Sequence, residues 1–336
     1  MIEVKNLIKN YNGFCAVDDI SFKVKTGEIL GLLGPNGAGK TTTLRMLTAF
    51  FEPSAGEIEI KNLKIREDAL KIKNLIGYLP ESAPLYHNML VFDYLVYVAK
   101  IKGIKQEDIN DRLARMSSLC GLSEIMHKPV CELSKGLNQR VGLAHAMISD
   151  PEILILDEPT SGLDPNQIVE IRKIIKNIGK EKTIILSTHI LSEAEATCDR
   201  ILIIDKGKIV ADDTAENLKE GAKSESHITL SLYDADAGEV KELITSIDSS
   251  IIVKDAHCAE KNAISFKIKV SGIDDPMKKI YLRIKETDWI ICEFKHEFQS
   301  LENIFHKLTT EDGDNSDNEN GEYNGNSKNS LAQQEA

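Results

Sequence analysis

The sequence lacks three features that would each point to a class of protein: paired cysteines, a long apolar run and an excess of basic residues. Its six cysteines include no Cys-x-x-Cys pair, which argues against a disulfide scaffold or a zinc site and suits a reduced compartment. The longest apolar runs fall short of the ~18 residues that a membrane helix needs, so a membrane role requires a partner. With 53 acidic and 41 basic residues the net charge is −12. This predicts no nucleic-acid partner, because binding the phosphate backbone of a nucleic acid needs a basic face.

The two ends of the chain differ in character. Residues 2–7 alternate like a strand and lack the basic start and apolar core of an export signal, so we expect a cytoplasmic protein. Residues 311–336 hold seven acidic residues and one lysine, which is half of the excess negative charge. A segment this polar buries too little apolar surface to offset its chain entropy. We therefore predict a disordered acidic tail over residues 310–336.

Between residues 29 and 213, short β-branched runs alternate with helical patterns, which is typical of a largely parallel sheet covered by helices. A helix is predicted to begin at Pro165, with Asp164 as its cap, and to stop at Gly179. The block 91–120 reads as helical without strands, which predicts a helical subdomain over about residues 82–148. The predicted buried strands are residues 29–33, 153–156, 183–186 and 200–204.

The pattern changes after a first unit over residues 1–220. Beyond it, strand and helix periodicities follow the order βαββαβ, which indicates a small α+β domain of the ferredoxin-like type over residues 225–309. A closing amphipathic helix is predicted from four apolar residues on one helical face. These residues are Leu301, Ile304, Phe305 and Leu308. No group of residues in this second unit carries recognisable chemistry.

A phosphate-binding loop is predicted directly after the first buried strand. Its glycines, followed by a lysine and a threonine, have the spacing of a P-loop that opens a helix. In such a loop the backbone N–H groups point at phosphate, Lys40 reaches the β and γ phosphates, and the Thr41 hydroxyl ligates Mg²⁺. The predicted nucleotide-binding residues are Gly34, Pro35, Asn36, Gly37, Ala38, Gly39, Lys40, Thr41 and Thr42.

Two adjacent carboxylates, Asp157 and Glu158, end the predicted strand that starts at residue 153. Ligands gather at the carboxyl ends of parallel strands, so this pair should lie beside the P-loop. Asp157 suits a Mg²⁺ ligand, and Glu158 suits a base that polarises water for in-line attack on the γ phosphate. These two motifs alone do not separate kinases, GTPases and transport ATPases.

Three further segments resemble motifs of the ABC ATPase family. Residues 133–140 (LSKGLNQR) resemble its signature, residues 159–164 (PTSGLD) its D-loop and residues 186–189 (LSTH) its H-loop. With the P-loop, these motifs follow the family's order within residues 2–220. The resemblance implies a P-loop NTPase core of the α/β class that binds and hydrolyses ATP with Mg²⁺.

The resemblance also implies a site shared between two copies. Two ATP-binding domains of the family pair head to tail. The signature residues Ser134, Lys135 and Gly136 would then meet the γ phosphate held by Lys40 of the other copy. Asp164 of the D-loop would cross the same interface. The expected partner is therefore a second ATP-binding domain in a homodimer.

Within one copy, His189 would contact the γ phosphate and help Glu158 orient the water, while Tyr11 matches the aromatic residue that stacks on adenine. Two positions depart from the family pattern. The signature reads Ser-Lys-Gly-Leu where Ser-Gly-Gly-Gln is usual, and Glu81 stands where the family usually has Gln. A carboxylate still reaches Mg²⁺, so the predicted metal ligands are Thr41, Glu81 and Asp157.

Several details resemble the gliding-motility-associated branch of the ABC-2 exporters. They are residues 79–81 (LPE), 84–86 (PLY), 133–136 (LSKG), 162–167 (GLDPNQ) and the Leu-Glu-x-x-Phe pattern at residues 301–305. The resemblance implies an ATP-binding and ATP-hydrolysing subunit that energises a separately encoded, polytopic membrane permease for export. Such a subunit is cytoplasmic and peripheral on the inner face of the cell membrane.

Two alternatives belong to other classes. A soluble ABC ATPase that acts on a cytosolic macromolecular complex generally carries two cassettes and a basic linker, or long coiled-coil insertions, and the sequence shows neither. An ATP-dependent regulator that only binds the nucleotide would not need the Asp157 and Glu158 pair or His189. An assay of phosphate release separates hydrolysis from binding alone.

Overall fold

The computed structural model describes residues 1–218, 225–248, 251–259, 263–271 and 275–297. The strands up to residue 218 are β1 (Ile2–Tyr11), β2 (Phe14–Val24), β3 (Ile29–Leu33), β4 (Ala55–Ile60), β5 (Leu63–Lys64), β6 (Ile76–Leu79), β7 (Ile153–Asp157), β8 (Thr183–Thr188), β9 (Arg200–Asp205) and β10 (Lys208–Asp213). The helices are α1 (Lys40–Leu47), α2 (Ala69–Leu75), α3 (Val91–Ile101), α4 (Ile109–Cys120), α5 (Lys135–Met147), α6 (Pro165–Gly179) and α7 (Leu191–Thr197). All four predicted buried strands are present as β3, β7, β8 and β9.

A six-stranded sheet has the order β10-β9-β3-β8-β7-β6 and is parallel except for β10 at its edge. Alternate side chains of β7 enter two different cores, Leu154 and Leu156 on one face and Ile153 and Ile155 on the other. This two-sided burial explains why the strand is apolar at every position rather than at every second one. The parallel direction brings the carboxyl ends of β3, β7 and β8 to one edge.

A second, antiparallel sheet has the order β2-β1-β4-β5. Its residues Val4, Phe22 and Ile58 share a core with Leu30 and Ile155 of the parallel sheet. The sequence prediction covered only the first of these four strands. The stretch from α3 to α5 forms the predicted helical part, and its only further element is a 3₁₀ turn at Val130–Glu132.

Helix α6 begins and ends where it was predicted, but Gly179 acts differently from a helix-terminating glycine. Asp164 caps the helix, with its Oδ1 accepting a hydrogen bond from the N–H of Gln167 at 3.0 Å. Gly179 is still part of the helix, and a Cβ built on it would lie 2.5 Å from Cδ1 of Ile29. Glycine is therefore required for close packing of α6 on β3 and not for a left-handed turn.

The C-terminal part forms a four-stranded antiparallel sheet in the order β12-β13-β11-β14. This order, with a helix after the first and third strands, is the predicted ferredoxin-like arrangement. Its elements are β11 (Glu225–Tyr233), α8 (Ala237–Thr245), β12 (Ile251–Ala259), β13 (Ala263–Ser271), α9 (Pro276–Ile284) and β14 (Ile290–Glu297). The predicted closing helix at residues 301–308 and the acidic tail lie outside the described residues. Among the residues described, no helix is long and apolar enough to cross a bilayer.

Candidate active site

The P-loop connects the buried strand β3 to the first turn of α1. Gly39 precedes the helix with a φ of 105°, which a residue with a side chain rarely adopts. A Cβ built on Gly39 would also lie 2.5 Å from the carbonyl oxygen of Ala16. Both observations require glycine here, and the turn leaves the free N–H groups of the first turn of α1 for an anion.

Lys40 is buried and folds back over its own loop. Its Nζ donates to the carbonyl oxygens of Gly34 at 2.8 Å and Pro35 at 3.1 Å. The same ammonium lies 3.5 Å from Oε1 of Glu158. The P-loop lysine and the predicted base are therefore already in contact. A polyphosphate in the loop would compete with Glu158 for this positive charge.

Asp157 and Glu158 end β7 directly beside the P-loop, as predicted. The Thr41 hydroxyl donates to Oδ1 of Asp157 at 3.0 Å, which links α1 to β7. Burial raises the pKa of Asp157, and the neighbouring carboxylates of Glu158 and Glu81 add to this effect. Hydrogen bonds from Ser187 and Thr41 act in the opposite direction. A divalent cation at this carboxylate would favour its ionised form.

His189 follows β8 and reaches the predicted base. Its Nδ1 lies 2.8 Å from Oε2 of Glu158. An ionised carboxylate only accepts hydrogen bonds, so the ring donates from Nδ1, which leaves Nε2 for another partner. Lys40 and His189 thus contact different oxygens of the Glu158 carboxylate.

A cavity of about 650 Å³ unites most of the predicted nucleotide site. The predicted residues that line it are Tyr11, Asn36, Gly37, Ala38, Gly39, Lys40, Thr41, Thr42, Glu81, Glu158 and His189. Gly34 and Pro35 lie behind it as acceptors for Lys40. Three residues that were not predicted, Phe14, Ala16 and Ser161, also line the cavity. The size is that of a site for a small ligand.

Tyr11 and Phe14 stand at the two sides of one hairpin turn. The turn residues Asn12 and Gly13 have φ values of 41° and 91°, which fits the tight type I′ connection of a β-hairpin. The Tyr11 ring also meets the edge of the Phe51 ring at a centroid distance of 6.1 Å. Tyr11 is 37% exposed and Phe14 is 63% exposed, so both rings are available to a flat ligand.

The predicted Mg²⁺ ligands meet the requirements of that ion. Thr41 and Asp157 are in contact, and Glu81 lines the same cavity while its Oε1 accepts from the Ser161 hydroxyl at 3.4 Å. Within the described part of the chain there is no cluster of three or more His, Cys, Asp or Glu side chains that would enclose a metal. A hydroxyl with one or two carboxylates suits Mg²⁺, which takes its other ligands from phosphate and water.

The signature residues lie on a different surface. Ser134 caps α5, with its Oγ accepting from the N–H of Leu137 at 3.4 Å. Gly136 lies against the D-loop helix, since a Cβ on it would be 2.7 Å from Cδ of Gln167. The ammonium of Lys135 lies over Gly162, where a Cβ built on this glycine would collide with it. None of the residues Ser134, Lys135, Gly136 and Asp164 is among those that line the nucleotide cavity.

Two buried polar contacts behind the site were not predicted. Ser187 bonds to both Asp157 and the backbone of Glu158. The buried carboxylate of Glu193 accepts from the Thr160 hydroxyl and, at 3.2 Å, from the Thr188 hydroxyl. The signal available was the run Ser187-Thr188-His189 at the end of a strand, which was interpreted only for its histidine.

Comparison with known proteins agrees with this geometry. A family model described as ABC transporter matches residues 17–161, and one described as an AAA domain, putative AbiEii toxin of a type IV TA system, matches residues 129–194. The chain is 31% identical over 308 residues to the uncharacterized ABC transporter ATP-binding protein YxlF of Bacillus subtilis, covering 92% of this chain and 99% of that protein. It is 40% identical over 222 residues to the bacitracin transport ATP-binding protein BcrA of Bacillus licheniformis, covering 66% and 72%.

Among solved structures, the fold matches the dimeric, post-hydrolysis structure of the ATP-binding cassette MJ0796 bound to ADP and Pi. The TM-score is 0.59 at 24% identity, over 64% of this chain and 98% of that one, and this similarity concerns the fold alone. The two Bacillus relatives are more similar in sequence than this structure is, and YxlF aligns with the chain over nearly the whole length of both proteins. The chain is therefore an ATPase and belongs to the family of ABC transporter ATP-binding proteins.

Proposed function

We propose that the chain drives export as the ATP-hydrolysing subunit of an ABC-2 type transporter, in a homodimer bound to a separately encoded, polytopic membrane permease. The observation that carries the proposal is the contact of Glu158 with both Lys40 and His189 in one cavity. A role in transport is supported by the name of the Bacillus licheniformis relative, a bacitracin transport ATP-binding protein. The finer resemblance to the gliding-motility-associated branch stays a prediction from residues 79–81 and 162–167.

Hydrolysis follows from the placement of Glu158. Its carboxylate takes a proton from a water molecule, whose oxygen attacks the γ phosphorus while the bond to the β–γ bridging oxygen breaks. His189 holds one oxygen of the carboxylate so that the other faces the water. Lys40 leaves its carbonyl partners for the phosphate oxygens and stabilises their negative charge. The products are ADP and phosphate.

Thr41, Asp157 and Glu81 would hold Mg²⁺. When bound, the ion neutralises the β and γ phosphate oxygens and so makes the γ phosphorus easier to attack. The Thr41 hydroxyl, which donates to Asp157 at 3.0 Å, would turn its oxygen lone pair to the ion. Glu81 brings a second negative charge to the same edge of the cavity.

The signature and the D-loop would complete the site of a second copy. Ser134, Lys135 and Asp164 are exposed, and the N-terminus of α5 behind Ser134 favours an anion. A head-to-tail dimer with two-fold symmetry would place these residues over the phosphates held by the other copy. The MJ0796 cassette, which shares the fold, is dimeric, and this supports a pair of copies.

The permease would bind next to Glu81, at the inner face of the membrane. A groove of about 440 Å³ beside β6 is lined by Phe50, Pro80 and Pro84 among others, and Pro80 directly precedes Glu81 in the chain. Exposed aromatic residues continue this surface at Tyr86 and Phe92. Apolar surface of this kind marks protein interfaces. Residues 225–309 would form an accessory domain.

The central experiment compares Glu158→Gln with wild type in phosphate release and in ATP binding. We expect hydrolysis to fall about 10²- to 10⁴-fold because the base is lost, while ATP affinity stays within about two-fold. Glu152→Gln is the matched control, since Glu152 lies just before β7 and pairs with Lys61 away from the cavity. Hydrolysis by Glu158→Gln at the wild-type rate would show that the base is another group.

The transporter role is tested separately by gentle purification from membranes. We expect a polytopic membrane protein to co-purify with the wild-type chain. The same protein should co-purify with Glu158→Gln in the presence of ATP. Recovery only with ribosomes or another cytosolic complex would contradict the role in export while leaving the ATPase assignment intact.

A further inference from the structure

The hydroxyl of Ser187 lies behind the active site, between the two carboxylate residues that end β7. Ser187 is completely buried. Its Oγ donates to Oδ1 of Asp157 at 2.6 Å and accepts from the backbone N–H of Glu158 at 2.9 Å. A single side chain on the neighbouring strand thus contacts both the predicted metal ligand and the peptide of the predicted base.

The register of two parallel strands produces this contact. Ser187 on β8 is the direct partner of Asp157 on β7. A hydroxyl has one proton to donate, and here that proton goes to the carboxylate, while a lone pair takes the N–H. The hydroxyl therefore has a defined orientation and holds the peptide between Asp157 and Glu158 from one side.

Glu158 needs such a restraint because its backbone is in an unfavourable conformation. Its φ is +47°, in the left-handed region that is sterically unfavourable for a residue with a Cβ. Conformations of this kind persist where the surrounding structure fixes them, and they are frequent at active sites. The bond from Ser187 to the N–H of Glu158 fixes the peptide plane that precedes the Glu158 Cα, one of the two planes whose relative rotation sets that φ. With this φ, the carboxylate reaches His189 at 2.8 Å and Lys40 at 3.5 Å.

We infer that Ser187 is a positioning residue for ATP hydrolysis, which holds Glu158 in its left-handed conformation and fixes the Asp157 carboxylate beside it. Ser187 does not line the nucleotide cavity, so it acts through these two residues and not on the nucleotide. The inference rests on the proposed role of Glu158 as the base. Without the hydroxyl, the base would sample positions from which it cannot reach the attacking water.

The test uses the full-length variants Ser187→Ala and Ser187→Thr. Ser187→Ala should lower kcat about 10- to 100-fold, the effect of a misplacement on the order of 1 Å, and leave the affinity for ADP in EDTA within two-fold. Rates are expressed per ADP-binding protein, so that partial misfolding does not count as lost catalysis. Ser187→Thr keeps the hydroxyl and should recover most of the lost rate.

Thr183→Val is the matched control. Thr183 lies on the same strand, is buried, and accepts a hydrogen bond from the N–H of Gly27 at 2.9 Å, far along β8 from the carboxylates. The variant Thr183→Val shows how much stability is lost when a buried hydroxyl is removed from β8. Its kcat should stay within two-fold of wild type. Amide hydrogen exchange at Glu158 should become faster in Ser187→Ala and remain unchanged in Thr183→Val.

Two results would overturn the inference: a kcat of Ser187→Ala within two-fold of wild type, or a fall in kcat accompanied by an equal loss of ADP affinity in EDTA. Glu158→Gln, measured in parallel, separates this failure from that of the proposed function. If Glu158→Gln is inactive and Ser187→Ala is fully active, only the positioning role is wrong. If Glu158→Gln is active, the assignment of the base is wrong.

Discussion

At the residue scale, the cavity offers two aromatic rings where the sequence predicted one. Tyr11 and Phe14 are register partners across the hairpin and both line the cavity. Tyr11 is the better platform because its ring is supported by Phe51 and carries the Lys9 ammonium at 5.2 Å from its centroid. Phe14 is more exposed, with 63% of its surface accessible. We therefore expect Tyr11 to stack on the base.

Tyr11→Ala should weaken ATP binding about ten-fold, since stacking of a base on an aromatic ring contributes roughly 1–3 kcal/mol. The measurement is the Kd for ATP and for GTP in Glu158→Gln, where hydrolysis is expected to be too slow to disturb the binding equilibrium. Tyr11→Phe should bind as well as the parent, and Phe14→Ala should lose less than Tyr11→Ala. The opposite order, with Phe14→Ala weaker than Tyr11→Ala, would assign the platform to Phe14.

The sequence predicted the residues of contiguous motifs better than the side chains that hydrogen-bond to those residues from other strands and helices. The P-loop and the pair Asp157 and Glu158 are local patterns whose chemistry is tied to their spacing. Ser187 supports that pair only because β7 and β8 run parallel in one particular register. Sequence periodicity predicts the strands but not this register. Glu193 was missed for a related reason, since its partner Thr160 lies 33 positions away.

At the element scale, one hydrogen bond joins two helices of the helical part. The Tyr94 hydroxyl on α3 lies 2.6 Å from Nδ1 of His145 on α5. Burial, with a smaller effect of the Tyr86 hydroxyl, raises the pKa of Tyr94 to about 12, so its hydroxyl stays protonated. Burial and the nearby Lys102 ammonium lower the pKa of His145, which favours the neutral ring.

The lowered pKa of His145 makes the stability of the fold depend on pH in a defined direction. Because the pKa of His145 is lower in the folded than in the unfolded chain, unfolding takes up a proton below about pH 6.5. The stabilisation is present above that pH and is lost as the pH falls. Urea unfolding at pH 7.5 and pH 5.5 should show a larger loss for wild type than for His145→Asn, which does not titrate.

Tyr94→Phe provides the control for the same helix pair. It should cost about 1 kcal/mol at pH 7.5, the usual net value of a hydrogen bond. The other titrating groups are common to all three proteins and cancel in the comparison. Equal pH dependence in wild type and His145→Asn would contradict the assignment.

Strong periodicity also decided which elements were predicted. The strands β3, β7, β8 and β9 are apolar runs buried on two faces, and the order βαββαβ was sufficient for the C-terminal sheet. The antiparallel sheet around β1 was mostly missed because register shifts interrupt the pairing of its strands, and the alternation of buried and exposed residues in β2 and β4 is irregular. Short strands such as β6, with four residues, carry too little pattern to be predicted.

At the scale of the whole molecule, each copy holds two separate parts of a phosphate site. Lys40 lines the nucleotide cavity, whereas Ser134, at the cap of α5, lies on a surface away from it. Both parts carry features for an anion: a buried lysine in one, a helix N-terminus with a hydroxyl in the other. Ser134 is not among the residues that line the cavity, so the site proposed above would combine Lys40 of one copy with Ser134 of another.

Mixing two inactive variants tests this arrangement. Lys40→Ala and Ser134→Arg should each abolish most hydrolysis. In an equal mixture, half of the dimers combine one copy of each, and every such dimer has one site with an intact lysine opposite an intact signature. Activity should therefore return to roughly a quarter of the wild-type rate if the two-fold related sites act independently. Phosphate release on mixing is the measurement.

The control mixes Lys40→Ala with the double variant Lys40→Ala/Ser134→Arg, a combination that has no intact lysine in either copy and should stay inactive. Two different affinity tags establish that mixed dimers form in both samples. If tagged mixed dimers of the single variants form and remain as inactive as their parents, the two motifs do not cooperate across the interface. Recovery of phosphate release only in the mixture of Lys40→Ala with Ser134→Arg would show that the surface around Ser134 contacts the nucleotide of the opposite copy. Only the mixed dimer in that sample pairs an intact Lys40 on one copy with an intact Ser134 on the other.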